Sequence, residues 1–247
     1  MNDAAECLTL LADQKRLLKQ VLADIKNRLP EAEPKSELAM FLLTHGWNVY
    51  EMAKAAVLLM EAGEPYATVA LARLALESAF NMLAASNNSA FGPQKMAQEL
   101  NELADKIEFF TKAGCWNTTR KPTPEDCRKE AERILAKYKV ERKKWKQIEQ
   151  IAALAKLSPY YNDDYRFLSL PVHANQTGIL NSGTGFLTRK GLLALSNAMF
   201  FASSNLSSVF RMRAKFDPEI TAQQGQIVAM MQRPDLLPKL DDLRTPT

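Results

Sequence analysis

Cysteine, histidine and glycine are all scarce in this chain: three, two and nine among 247 residues. Each scarcity removes a class of protein. Cys7, Cys115 and Cys127 are odd in number, widely spaced and without a C-x-x-C pair, so neither a disulfide framework nor a zinc site is suggested. His45 and His173 stand in no His-Glu or His-x-x-x-His spacing, so no metal is expected, and no cofactor either. Alternating apolar and polar residues are missing over any useful length, which argues against strands. There is no internal repeat and no low-complexity block. Residues 192–210, "LLALSNAMFFASSNLSSVF", carry no charge, yet their interspersed Ser and Asn argue against a membrane span. The opening "MNDAAECLTL" is acidic and polar, unlike a secretory signal. A cytoplasmic protein without a membrane partner is the expectation.

What the chain does hold favours helix. It is 47% hydrophobic and 24% charged, with Ala, Leu, Lys and Glu dominant, and its length suffices for a substantial core. The net charge of +4 permits an acidic partner such as RNA without specifying one. Helices are expected over about residues 3–29, ended by "LPEAEP", and from Ser36 to Ala62, with Gly63 as the stop. The third opens at Pro65 and runs to "SNNS". The fourth opens at Pro93 and ends before Gly114, and the fifth runs from Thr123 to about Lys156. A shorter helix from Ser158 contains "YYNDDYRFLSLPVHAN"; the loop "QTGILNSGTG" and a long helix from about Leu187 to Arg213 follow. A last short helix is expected at Asp217-Pro218. The reading is all-α: a bundle over residues 1–213 and a short helix and tail over 214–247.

Two constellations carry polar chemistry. The third helix, "ATVALARLALESAFNMLAAS", shows no solvent face around Arg73 and Glu77, so it is the expected central helix. Its two charges lie at i and i+4. They are expected to be mostly buried and directly paired, or to share a polar partner from the histidine helix. A pair fixing a helix seam, a charged cleft floor and an exposed edge remain open alternatives, because buried ions cost several kcal/mol each to desolvate. Along the shorter helix Asn162, Arg166, Ser169 and His173 fall within a stripe roughly 60° wide, flanked by Tyr165. That stripe joins a fixed cation, a hydroxyl and a group that titrates near neutrality. Pro171 places His173 at or beyond a kinked end. His45, in an apolar setting, reads as structural. A third stretch, "KYKVERKKWK" at residues 137–146, fits either a nucleic-acid surface or the solvated face of a helix on which Trp145 packs.

The pairing of "ALARLALESAF" with "Y-x3-Y-R-x2-S-x3-H" resembles a bacterial family of uncharacterised helical proteins, itself similar to the HEPN (higher-eukaryote-and-prokaryote nucleotide-binding) domains. The similarity covers about residues 40–212. It implies a HEPN-like all-α bundle, here with extra N- and C-terminal helices. Such bundles are often dimeric and often occur in toxin–antitoxin or phage-defence settings with a cognate protein partner. Catalytically active members are metal-independent ribonucleases carrying Arg, a polar residue, four to six residues, then His. Arg166 and His173 have that spacing, and Phe167 stands where the polar residue would be. The resemblance implies an RNA-cleaving or RNA-binding effector. His173 would be the acid/base, Arg166 the phosphate clamp, and Ser169 and Tyr165 orienting groups, with Arg73, Glu77 and Asn162 on the substrate side. The competing expectation is a non-catalytic module that binds a partner protein or a nucleotide in the same pocket.

Overall fold

The structure, a computed structural model, describes residues 37–115, 122–172 and 184–209, together with Arg16. The helix expected over residues 3–29, Cys7, His173, most of the following loop and everything after residue 209 lie outside the described residues.

Among the described residues all regular structure is helical, as composition and pattern require. The order is α1 (Glu37–Glu61), α2 (Pro65–Asn87), α3 (Phe91–Lys112), α4 (Pro124–Tyr138), α5 (Ile148–Leu154) and α6 (Ser158–Tyr160). A π-helical turn (Tyr161–Tyr165), α7 (Arg166–Val172) and α8 (Thr184–Val209) complete it.

The ends follow local chemistry. Thr123 caps α4 through a reciprocal box: Asp126 N–H donates to Thr123 Oγ1 at 3.1 Å, and Thr123 N–H donates to Asp126 Oδ2 at 3.0 Å. Gly63 (φ 80°) and Gly114 (φ 72°) stop α1 and α3 in the left-handed region that glycine tolerates.

The expected single helix from Thr123 to Lys156 is broken, because Lys139 takes the same left-handed turn (φ 54°) without being glycine. Lys139 N–H donates to the Ala136 carbonyl at 3.2 Å and Val140 N–H to the Leu135 carbonyl at 3.1 Å. Val140 then packs on the small cluster of Ala97, Ala131 and Leu135. That apolar contact between the second residue past the helix and the residue near its last turn offsets the left-handed cost. Removing the Cβ should relieve that cost. Lys139→Gly is expected to raise unfolding stability by up to about 1 kcal/mol in urea titration, and a clear loss would contradict this reading of the turn.

Helix α2 is the axis. α1, α3, α5, α7 and α8 all pack against it. Val69, Ala72, Ala75, Leu76, Ala79, Phe80 and Met82 are fully sealed, and the three alanines let neighbouring backbones approach closely. It is apolar and long enough to cross a membrane by composition alone, but that apolar surface faces its neighbours. The expectation of no solvent face needs a correction. Tyr66 and Leu74 are 39% and 40% exposed, about 80° apart around the helix, and mark a face that the surrounding helices leave uncovered. Arg73 and Glu77, half-buried, lie on this face.

α3 and α4 form a hairpin with small clusters of their own, such as Ala104, Ile107 and Cys127. At the start of α1, Glu37 ties that hairpin down, accepting from Arg133 and Lys137 at 2.7 Å each and from Tyr138 Oη at 3.1 Å. The Lys137 and Arg133 hydrogen bonds hold its pKa down at about 2.

Candidate functional site

The two charges of α2 are joined through a third residue. Arg73 Nη2 donates to Tyr165 Oη at 2.7 Å, and Tyr165 Oη donates to Glu77 Oε2 at 3.3 Å. Arg73 Nε donates to Ser169 Oγ at 3.0 Å, and that hydroxyl donates to the Tyr165 carbonyl at 2.8 Å. The guanidinium carbon also lies 4.8 Å from the Tyr165 ring centroid. Arg73 and Glu77 thus share a polar partner from the shorter helix, the second of the two expected arrangements, and they are partly rather than mostly buried. A phenol between them spares either ion full desolvation, because each keeps some contact with water.

Tyr165 itself is 5% exposed. Burial, reinforced by the negative charge of Glu77, pushes its pKa up to about 12. It therefore acts as a neutral hydroxyl, accepting from the cation and donating to the carboxylate.

The π-helical turn sets this geometry. Asp164 and Tyr165, adjacent in sequence, are both buried, and one bonds α8 while the other bonds α2. Asp164 accepts from Lys190 Nζ at 3.4 Å and from Asn197 Nδ2 at 3.3 Å. Burial raises the Asp164 pKa, and Lys190 pulls it partly back. Turns of this kind often mark functional positions. Sequence reasoning passed over Asp164, although the pair "DD" inside an otherwise mixed helix was its signal.

The expected stripe of Asn162, Arg166, Ser169 and His173 does not hold together. The inward face runs through Tyr165, Leu168 and Ser169, whereas Asn162 and Arg166 are exposed. Arg166 follows Tyr165 by one residue, about 100° around the helix, which turns it outward while Ser169, four residues on from Tyr165, stays inward. His173 lies outside the described residues.

Arg73, Glu77 and Tyr165 open onto a cleft of about 690 Å³ whose far wall comes from α3 and from the segment after α4. Lys95, Gln98 and Glu102 line it from α3, and Trp145, Lys146 and Gln147 from that segment. Gln98 fastens the strap to α3: Trp145 N–H donates to Gln98 Oε1 at 2.7 Å, and within α3 Gln98 Nε2 donates to Glu102 Oε1 at 2.7 Å. Gln94 Nε2 adds a 3.0 Å bond to the Glu141 carbonyl. Neither glutamine carries a sequence signal for this role.

The basic stretch is therefore an exposed, non-helical strap beyond Tyr138, not a helix face. Lys139, Lys143, Lys144 and Lys146 are exposed along it, while Lys137 and Arg142 bond Glu37 and Glu132. Trp145 is packed, 7% exposed and edge-on to Phe91 at 5.1 Å, with Lys143 Nζ 3.9 Å from its ring. Its ring is thereby committed to the core and to a cation, which removes it as a free stacking platform. Tyr161 takes that place at the cleft, its ring stacked on Tyr165 with centroids 5.5 Å apart. Among the described cleft residues Arg73, Lys95 and Lys146 face Glu77, Glu102 and Glu149, so charge is balanced within the cleft and positive only along the strap.

Residues 39–185, more than half of the chain, match the model of a family of unknown function, DUF5677. The chain belongs to DUF5677. No curated protein and no solved structure matches it. The DUF5677 match spans every residue named in the cleft, from Arg73 to Tyr165, together with Ser169, Arg166 and His173. An uncharacterised all-helical family is thus the identity that sequence and structure share.

Proposed function

We propose that this DUF5677 protein is an RNA-binding effector of HEPN-like kind, with the strap carrying the phosphates and the cleft receiving a nucleotide. One observation carries the reading. The Arg73–Tyr165–Glu77 cluster and the end of the basic strap, remote in sequence, line one open cleft. Exposed lysines supply sequence-independent attraction to a phosphate chain, and Tyr161 offers a ring for a base. The balanced charge inside the cleft suits a single nucleoside better than a run of phosphates. The same resemblance supports a homodimer acting with a cognate partner, and the scarce, unpaired cysteines suit a reducing cytoplasm.

Cleavage is the stronger form of this reading. Metal-independent cleavage needs an acid/base for the 2′-hydroxyl and a cation for charge growing on the phosphate, roles assigned to His173 and Arg166. Arg166 is exposed, on the turn beside the cleft residue Tyr165. Its outward position favours binding over catalysis, as does Phe167 in the motif.

The test is incubation of purified protein with total RNA and with tRNA, with and without chelator, read by mobility shift and by gel. Salt-sensitive retention of RNA is expected. If cleavage accompanies it, it should persist in chelator and fall by about 10²–10⁴-fold in His173→Ala. Binding of free nucleotide with no RNA retention would favour the non-catalytic nucleotide module instead, and retention of neither would end the proposal.

Neutralising Lys139, Lys143 and Lys146 together should weaken RNA binding and flatten its salt dependence. Each lost contact to single-stranded RNA removes about 0.7 from the slope of log K against log salt. An unchanged slope would return the strap to a merely solvated segment.

A further inference from the structure

α3 works on two faces. Lys95, Gln98 and Glu102 line the cleft, whereas Met96, Leu100 and Leu103 line a groove of about 520 Å³ between α1, α3 and α4. α1 supplies its other wall with Met40, Phe41, Thr44 and Asn48. The apolar surface continues past the cavity on both walls. On α1, Met40 and Leu58 are 43% and 57% exposed, and about five whole turns, roughly 27 Å, bring the second onto the face of the first. On α3, Leu103 and Phe110 are 39% and 44% exposed and lie about 20° apart around the helix. The other flanks of α1 are taken by α2 and α8. Large apolar side chains left open along a groove mark an interaction site, and this shape fits a helix lying lengthwise.

The chain itself supplies such a helix. Within residues 3–29, Leu11, Leu18, Val21, Leu22, Ile25 and Leu29 fall within about 100° around a helix, the width of a stripe that faces a core. Asp13, Arg16, Gln20 and Asn27 take the opposite side. Arg16, the described residue of this segment, is helical and exposed, as that pattern requires. Over residues 3–29 a helix is about 40 Å long, more than the distance from Met40 to Leu58. The connection to Glu37 is short, "PEAEPKS" at residues 30–36, and its two prolines prevent the helix from running on into α1. Consecutive helices joined so briefly pack as antiparallel neighbours.

We propose that the α1–α3–α4 groove is the docking site of the chain's own N-terminal helix, residues 3–29, laid antiparallel to α1 with its apolar stripe inward. Ile25 and Leu29, nearest the connection, lie at the Met40 end, and Leu11 reaches toward Leu58 and Phe110. A second copy of the chain would have to displace a segment that its tether holds at an effective concentration of about millimolar. The docking is independent of the RNA reading, because no described residue lines both the groove and the cleft.

The test uses the full chain with methyl-labelled methionine and a nitroxide at Gln20→Cys, on the polar side of the helix. Cys7→Ser and Cys115→Ser leave Cys127, which is buried and escapes the label. The Met40 and Met96 methyl signals are expected to lose most of their intensity and to regain it when the nitroxide is reduced. Leu18→Lys with Ile25→Lys should abolish that loss, and Asn27→Lys, across the helix, should not. Met82 and Met199, sealed in the core, report in each variant that the bundle is intact. When nitroxide-bearing chains are mixed with separate methyl-labelled ones, no loss is expected. The proposal is overturned if Met40 and Met96 keep their intensity, or if the loss survives Leu18→Lys with Ile25→Lys. It is equally overturned if the loss passes between chains, the mark of a second copy in the groove, or if a nitroxide at Asp241→Cys on the C-terminal tail causes the larger loss.

Discussion

Tyr165→Phe is expected to lower unfolding stability by about 2 kcal/mol, although the substitution removes a single oxygen. That oxygen accepts from Arg73 at 2.7 Å and donates to Glu77 at 3.3 Å, so its loss strips one partner from each of two ions. Hydrogen bonds to charged groups contribute about 1.5–3 kcal/mol each. The partial exposure of Arg73 and Glu77 reduces the cost, because water reaches what the phenol leaves. Arg73→Ala should cost a similar amount, and the double variant should cost less than the two losses added, since the two side chains share one bond. The 3–5 kcal/mol appropriate to a deeply buried pair is not expected here, because neither ion is sealed. Chemical denaturation of the four proteins checks this. Simple additivity would show that the tyrosine and the arginine act independently.

Acidification from pH 7 to pH 4 should cost about 3 kcal/mol of stability through His45 alone. Burial, aided by the nearby charge of Lys95, holds its pKa down at about 4, against 6.5 for the free side chain. The unfolded chain therefore binds a proton that the folded protein refuses. Stability falls as pH drops from 6.5 to 4 and levels off below, where both states are protonated. Glu99 and Asp164, with pKa values raised by burial, act in the opposite direction, because the folded protein holds their protons longer as pH rises. Glu37, held down at about 2, contributes stability that is lost below pH 4.5, a separate window. Comparing wild type with His45→Gln in urea at each pH cancels the carboxylates, which both proteins share. The wild-type protein should lose about 3 kcal/mol relative to the variant between pH 7 and pH 4. Parallel curves would mean that the imidazole titrates in water.

The helix order was legible because its signals are local. Pro65, Thr123 with Asp126, and Gly63 and Gly114 act within one turn of the boundary they set, and each boundary lies close to its expected place. The break at Lys139 was not legible, since lysine in a left-handed turn carries no composition signal. It depends on Val140 reaching Leu135 and on Gln94 and Gln98 of another helix holding the strap. The candidate site divides along the same line. That Arg73 and Glu77 belong with Tyr165 and Ser169 could be read from charges on an apolar helix facing a polar one. That Arg166 turns outward could not, because a uniform helix would align it with Ser169, whereas the inward face is fixed by Leu168, Tyr165 and the π-helical turn. Nor could one sequence reveal that the strap and the α2 charges share a cleft. That arrangement is tertiary: Gln98 of α3 holds the strap, and α3 and the strap line the cleft with α2.

The most direct test of the account is ultraviolet cross-linking of the full-length protein to a single-stranded RNA, with the linked peptides mapped by mass spectrometry. The account predicts links at the cleft and strap, at Tyr161 or within residues 143–147, lost when Lys139, Lys143 and Lys146 are neutralised. RNA that binds but links only to residues away from that cleft would contradict it.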